Sequence, residues 1–261
     1  MTHTHKHPRI ISMVPSWTEM FLSLSIEVTG RTRFCIEPKD KVKSIPTVGG
    51  TKDWDLELIQ SLKPDLIILD KDENPKSMGE GHSISFLATH VQNIPTCIEG
   101  IKLIADAIGK QNTVAGGKFD SVLKRWEKIA STSPKDLKST RWPTMPGLIE
   151  WVNTPKQEIE SIYYVIWKNP WMVATKETFI GDVARMVGLP LSNSATTVHY
   201  PEIDLSLLDP KSTLLLFSSE PYPFHKKVSE LKSLPFASAI VDGQAFSWFG
   251  THALGFLEKN V

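Results

Sequence analysis

Cysteine is nearly absent from this chain of 261 residues: Cys35 and Cys97 are the only two. Two thiols fit a reducing compartment and read as free, partly buried side chains. An excess of one charge is also absent, since Lys plus Arg and Asp plus Glu each number 29. No global field therefore favours nucleic acid or an acidic membrane. No apolar run approaches the roughly 18 residues of a membrane span. Catalytic signatures are missing as well: there is no G-x-S-x-G elbow, no H-E-x-x-H and no dinucleotide fingerprint. Gly49-Gly50 lacks the spacing of a phosphate loop. His82, His90, His199, His225 and His252 are scattered, without H-x-x-H or C-x-x-C spacing for a metal. A bare-ion site assembled by folding, for example from His199 and acids, is a weaker alternative. His3, His5 and His7 alternate at the start. That pattern can chelate a divalent ion, but it reads better as a disordered tail.

What the chain does contain is one pattern written twice. Residues 55 to 69 read DLELIQSLKPDLIIL and residues 204 to 217 read DLSLLDPKSTLLLF, about 150 positions apart. Each predicts a short amphipathic helix, a Pro, then an apolar strand. Each strand runs into a loop with a Glu, Glu73 in KDENPK and Glu220 in SSEPYPF. A solenoid repeat would recur every roughly 20 to 50 residues. The wide spacing instead fits two similar α/β lobes, with a ligand cleft between them.

RIISMV (residues 9–14) predicts a strand and WTEMFLSLSI a helix, with Ser16 and Glu19 as a capping box. IEVTG predicts a second strand, followed by a long loop rich in Gly, Pro and charge. Asp55 caps the first repeat helix, with Leu56, Ile59 and Leu62 as its buried stripe. DLIIL suits a parallel strand covered on both faces. SISFLATHV predicts a helix and IPTCI a strand. Residues 101–130 read as helical throughout, broken at Gly109 and Gly116-Gly117, with Phe119, Val122, Leu123, Trp126 and Ile129 on one face. This stretch is a candidate connector. Beyond a Ser/Thr/Pro loop, SIYYVIW predicts a strand, TFIGDVARMVGL a helix closed by Gly188, HKKVSELKSL a helix and AIVDG a strand. The opening MTHTHKHPRIISMV enters a strand too directly for a secretory signal. The chain is expected to stay in the cytoplasm or to follow an export segment it does not contain.

In RIISMVPSWTEM, VTGRTRFCIEP, VGGTKDWDLELIQSLKPDLIIL, DENPK, YVIWKNPWM, HYPEIDLSLL, SSEPYPF and VDGQAFSWFG, the chain resembles the periplasmic binding proteins for metal chelates: vitamin B12, haem and ferric siderophores. It is most similar to the subset called helical-backbone metal receptors. The resemblance implies the class III periplasmic-binding-protein fold: two Rossmann-like α/β lobes with parallel sheets joined by a single long backbone helix. The expected division is an N-terminal lobe over 8–108, the connecting helix over 109–132 and a C-terminal lobe over 133–261. It also implies a monomer without catalysis, without a covalently bound cofactor and without a protein-only metal site. Such a protein captures a chelate for an ABC transporter in the periplasm. A cytoplasmic chelate sensor or carrier is the alternative.

Loops at the carboxyl ends of parallel strands line the crevice of such sheets. They nominate Pro15, Ser16 and Trp17, then Arg33 to Cys35, Asp70, Trp167 and Trp171. The loop VGGTK adds the backbone amides of Gly50 and Thr51, since Gly lets the main chain approach a ligand closely. Eight Trp residues favour a flat or macrocyclic ligand. The resemblance raises Trp167, Trp171 and Trp248, and adds Tyr200 at a spot where B12-binding relatives carry an aromatic. Arg33 is suited to a ligand carboxylate or phosphate. The resemblance assigns Glu73 and Glu220 to docking on permease arginines, a contact that carboxylates make in bidentate form. Two departures stand out: Asp70 where B12-binding relatives place an aromatic, and no aromatic near IPTCI. Two stacking platforms for a corrin are thus missing, which leaves a cobinamide-like, tetrapyrrole or siderophore ligand open.

Overall fold

The computed structural model describes residues 8–110, 113–139, 142–193 and 198–261. They divide into two compact units. The first runs to Ala130 and includes Phe249–Leu254, and the second holds Ser131–Trp248 and Gly255–Val261. His3, His5 and His7 lie outside the described residues.

The first unit contains β1 (Ile10–Ser12), α1 (Pro15–Ser23), β2 (Val28–Arg31), α2 (Lys39–Val42), α3 (Leu56–Ser61), β3 (Leu66–Asp70), β4 (Phe86–Thr89), α4 (Ile94–Gly109), α5 (Thr113–Gly117) and α6 (Asp120–Ser131). Its sheet is wholly parallel in the order β2-β1-β3-β4. Strand order reverses at β1, so the loops after β1 and β3 flank a topological switch point. Strand residues alternate between faces. Ile11, Ile67 and Leu69 pack with Val48, Ile59 and Met78 on one side of this sheet. β3 is buried at every position, as a strand covered on both faces requires. Asp55 caps α3 by accepting the Leu58 N–H at 2.9 Å. Of the expected stripe only Ile59 is fully buried, while Leu56 and Leu62 are half-buried.

Three local expectations are corrected. Ser16 does not cap α1: the helix starts at Pro15, Val14 is the N-cap, and no side chain satisfies it. Proline at the first turn explains this, because its missing N–H leaves one fewer donor to cap. SISFLATHV contains a strand, β4, rather than a helix. IPTCI opens a helix, α4, rather than forming a strand. Asn93 and Thr96 make the capping box there, the Thr96 N–H reaching Asn93 Oδ1 at 2.9 Å. The helical breaks fall where glycines stand. α4 ends at Gly109 and α5 at Gly117, and a Cβ on Gly116 would come within 2.7 Å of Gly109 Cα. On α6, Val122, Trp126 and Ile129 are buried. The Trp126 indole donates to the Gly250 carbonyl at 2.8 Å.

The second unit contains β5 (Leu148–Asn153), β6 (Ser161–Trp167), β7 (Met172–Ala174), α7 (Phe179–Met186), β8 (Thr213–Ser218), α8 (Val228–Leu231), β9 (Ala237–Val241) and α9 (Gly243–Ser247), and α10 (Thr251–Asn260) closes the chain. The sheet order is β5-β9-β8-β6-β7. The centre, β9-β8-β6, is parallel, whereas β5 and β7 are antiparallel edges. This departs from an all-parallel sheet because residues 168–171 alone join β6 to β7, too few for a crossover. The second repeat copy also departs from the first. Asp204 caps a 3₁₀ turn, Leu205–Leu207, rather than an α-helix, and Leu207 is 82 % exposed. β8 is buried throughout. Gly188, at φ +84°, closes α7 as the sequence indicates. HKKVSELKSL yields a 3₁₀ turn followed by the single turn of α8.

Candidate functional site

In the first unit the switch-point loops are tied down by side chains. Asn74 is buried after β3. Its Oδ1 accepts the Asp70 N–H at 2.9 Å, and its Nδ2 donates to the carbonyls of Thr51 at 2.9 Å and Met13 at 3.4 Å. One amide thus joins the loops after β1 and β3 to the Gly49–Thr51 turn. Sequence reasoning overlooked Asn74. The signal was an Asn four residues past a strand end, where its short amide reaches local backbone. Glu73 precedes it, half-buried.

Two nominated residues turn inward. Trp17 has no exposed surface. Its Nε1–H donates to Thr89 Oγ1 at 3.0 Å and its ring lies 4.6 Å from that of Phe249. Asp70 is 1 % exposed. It accepts from Thr89 Oγ1 at 2.7 Å and from the amides of Asp72 and Val91 at 3.0 and 3.2 Å. Burial pushes the Asp70 carboxyl above its ordinary range, opposed by these hydrogen bonds. Both are corrected from ligand-facing positions to core: a stacking ring or a charge needs surface, and neither has any. Ser16 is likewise buried, at 2 % exposure.

Arg33 remains accessible, its side chain 52 % exposed, and forms a bidentate pair with Asp53 at 2.9 and 2.8 Å. That hydrogen bonding holds the Asp53 carboxyl below its ordinary value. The pair clasps the turn between Gly49 and Trp54. Gly50 is buried beneath it, and a Cβ there would lie 2.7 Å from Arg33 Nη2. Thr51 is half-buried.

The second unit gathers aromatics at the carboxyl ends of β6 and β8. Trp167 ends β6 and is 41 % exposed. Its ring meets Tyr222 edge-on at 5.3 Å. Tyr222 lies 4.6 Å from Phe224, and Phe224 stacks on Trp171 at 6.2 Å with an interplanar angle of 10°. Lys168 Nζ sits 5.4 Å over the Trp171 ring and pairs with Glu230. Tyr222 and Phe224 were not nominated, although SSEPYPF held both. Tyr200 is half-buried on a segment that runs beside β7, where Thr175 donates to the His199 carbonyl and Val173 to that of Pro201, both at 3.1 Å.

Trp248 follows α9 and is 6 % exposed. Its Nε1–H donates to Glu220 Oε1 at 2.6 Å, and Gln244 Nε2 lies 3.4 Å from Oε2. Trp248 therefore packs within its unit. Glu220 departs from the expected loop-tip acid, because both its oxygens are engaged by neighbours in the unit. Among the described residues, no group of three or more His, Cys, Asp or Glu side chains is placed to hold a metal ion. No helix among them is long and apolar enough to cross a membrane.

No family model matches the chain, and no curated protein matches it in sequence. Solved structures do match in three dimensions. The periplasmic haem-binding protein RhuT from Roseiflexus sp. RS-1 superposes with a TM-score of 0.67 at 15 % identity, over 97 % of this chain and 96 % of that one. The periplasmic vitamin B12 binding protein BtuF of Vibrio cholerae gives 0.61 at 16 % identity, over 97 % and 94 %. The siderophore binding protein FhuD of Vibrio cholerae gives 0.59 at 17 % identity, over 97 % and 98 %. At such identities a likeness speaks for architecture. The fold of this chain, two α/β units with parallel-centred sheets and a helical stretch ahead of the second, is that of the class III periplasmic binding proteins.

Proposed function

We propose that the chain is a solute-binding protein that captures a metal chelate, of the cobinamide-like, haem or ferric-siderophore class, for an ABC transporter. The observation that carries this reading is the exposed Trp167 ring, braced edge-on by Tyr222 at the carboxyl ends of β6 and β8. A rigid, supported aromatic face suits a flat or macrocyclic ligand, because it adds contact area at little entropic cost. Trp171 belongs to the same run of rings through its stack on Phe224, and Tyr200 comes from the segment beside β7. In the first unit the Arg33 guanidinium, beside Gly50 and Thr51, offers a carboxylate-bearing chelate a charged partner. The matched structures include proteins whose names state haem, vitamin B12 and Fe3+–Desferal binding, which supports the ligand class. Ser16, Trp17, Asp70 and Trp248 contribute by holding these loops rather than by touching ligand. Permease docking, in a periplasmic setting, is assigned to Glu73 and Glu220, the acids of the loops after β3 and β8.

A tryptophan-fluorescence titration with cobinamide, cobalamin, haemin and several ferric siderophores tests the reading, with Zn2+ and Mn2+ as controls. Saturable quenching by one chelate, reduced in Trp167→Phe, is the expected result. Response to a bare ion alone would move the function to a metal-ion receptor. Silence with every chelate would leave only the fold in common with the matched proteins.

A further inference from the structure

The second unit has a cavity of about 560 Å³ at the amino ends of β8 and β9. That volume falls in the roughly 300 to 1,000 Å³ range of small-molecule sites. Thr213 and Ala237 start these strands, whereas the loops proposed to meet a chelate leave from their other ends, at Ser218 and Val241. The two sites are therefore at opposite strand ends of one sheet, and this inference does not rest on the chelate reading.

Lysines reach the cavity from three separate segments. Lys156 follows β5, Lys211 precedes β8, and Lys232 follows α8. Among the described residues, no Asp or Glu lines the cavity. The neighbouring Asp209 accepts from the Lys211 amide at 3.1 Å and the Ser212 hydroxyl at 2.9 Å and also attracts the Lys211 charge. Three ammonium groups around one concavity repel each other, and an anion between them relieves that repulsion. The walls mix polar and apolar surface. Trp151 comes from β5 and Phe236, 5 % exposed, from just before β9. Asn153 ties β5 to the facing segment by donating to the Leu234 carbonyl at 3.2 Å. We infer that this cavity binds a small organic anion with a flat apolar part, its ring against Trp151 and its acid group among Lys156, Lys211 and Lys232.

The probe is 8-anilinonaphthalene-1-sulfonate, with neutral N-phenyl-1-naphthylamine as its uncharged counterpart. The full chain is titrated by fluorescence, with a thermal melt confirming that each variant is folded. Expected are saturable binding of the sulfonate at one site, a loss of about tenfold in the Lys156→Gln, Lys211→Gln, Lys232→Gln triple variant, and weakening with added salt. Trp151→Leu should weaken it as well. If the triple variant fails to fold, Lys211→Gln alone should still lose about threefold. Equal affinity in the folded lysine variants, equal binding of the neutral probe, or no saturable binding overturns the inference. Chelate affinity should be unchanged in the lysine variants, which keeps failure here distinct from failure of the chelate reading.

Discussion

Trp248 donates its indole N–H to Glu220 Oε1 at 2.6 Å, joining the loop after β8 to the residue that follows α9. A hydrogen bond to a charged group stabilises by about 1.5 to 3 kcal/mol. Trp248→Phe keeps most of the ring's packing and removes the donor. We predict a loss of about 2 kcal/mol in urea unfolding, with chelate affinity nearly unchanged. A large drop in affinity with stability intact would return Trp248 to the ligand.

Trp167 presents its ring to solvent with Tyr222 behind it. Trp167→Ala should weaken chelate binding by about 1 to 3 kcal/mol while changing the melting temperature little. Trp171, packed on Phe224 and Phe217, should show the reverse balance, with Trp171→Ala costing about 3 kcal/mol of stability. Calorimetric titration alongside thermal melts separates the two.

Asp70 has a folded-state pKa raised above its ordinary 3.8, chiefly by burial. The folded state therefore holds this proton more tightly than the unfolded chain does. The stability so gained is complete below 3.8 and is lost as pH rises through the raised value. Asp70→Asn lacks the titration. The stability of the wild type relative to this variant should be greatest near the acid end of the window and shrink towards neutrality, as read from melts across pH.

Gly49 and Gly50 should respond unequally to a methyl group. Gly49 sits at φ +119°, and a Cβ there would come within 2.5 Å of the Asp53 carbonyl. Backbone cannot easily give way, so Gly49→Ala should cost about 2 kcal/mol or more. The Cβ of Gly50→Ala meets only the ends of the Arg33 and Asp53 side chains. Those can swing aside, and the cost should stay near or below about 1 kcal/mol.

Neither thiol should react in the folded chain. Cys97 has no exposure, and burial pushes its pKa up to about 12. Cys35 is also buried, its pKa raised by desolvation against hydrogen bonds from Thr18 and Thr32. Because the thiolate is the nucleophile, Ellman's reagent at mildly alkaline pH should label both cysteines only after denaturant is added.

The strands of the sheet centres were legible because each carries an unbroken apolar run, Leu66–Leu69 and Leu214–Phe217. LIILD and TLLLFS are buried at every residue, and nothing but a covered strand suits them. The stretch 83–98 was misread because its two short apolar runs carry little period. The capping signal at Asn93 and Thr96 outweighed the β-branched content of IPTCI. Chain position placed the loops after the parallel strands but not which side chains face outward. Trp17 lies just after β1 and Trp167 ends β6, yet one is core and the other exposed. Orientation of that kind is decided by tertiary partners such as Thr89 and Phe249, which lie far away in sequence.

Thr89 carries a single hydroxyl that answers two needs at once. Its proton goes to the Asp70 carboxylate and its lone pair receives the Trp17 indole. Valine, the same shape without the oxygen, would take from Trp17 its N–H partner and from Asp70 its shortest hydrogen bond. Serine alone could take over both tasks. Position 89 is thereby a fingerprint: a diverged copy of this chain that keeps Trp17 and Asp70 must spell it Thr or Ser.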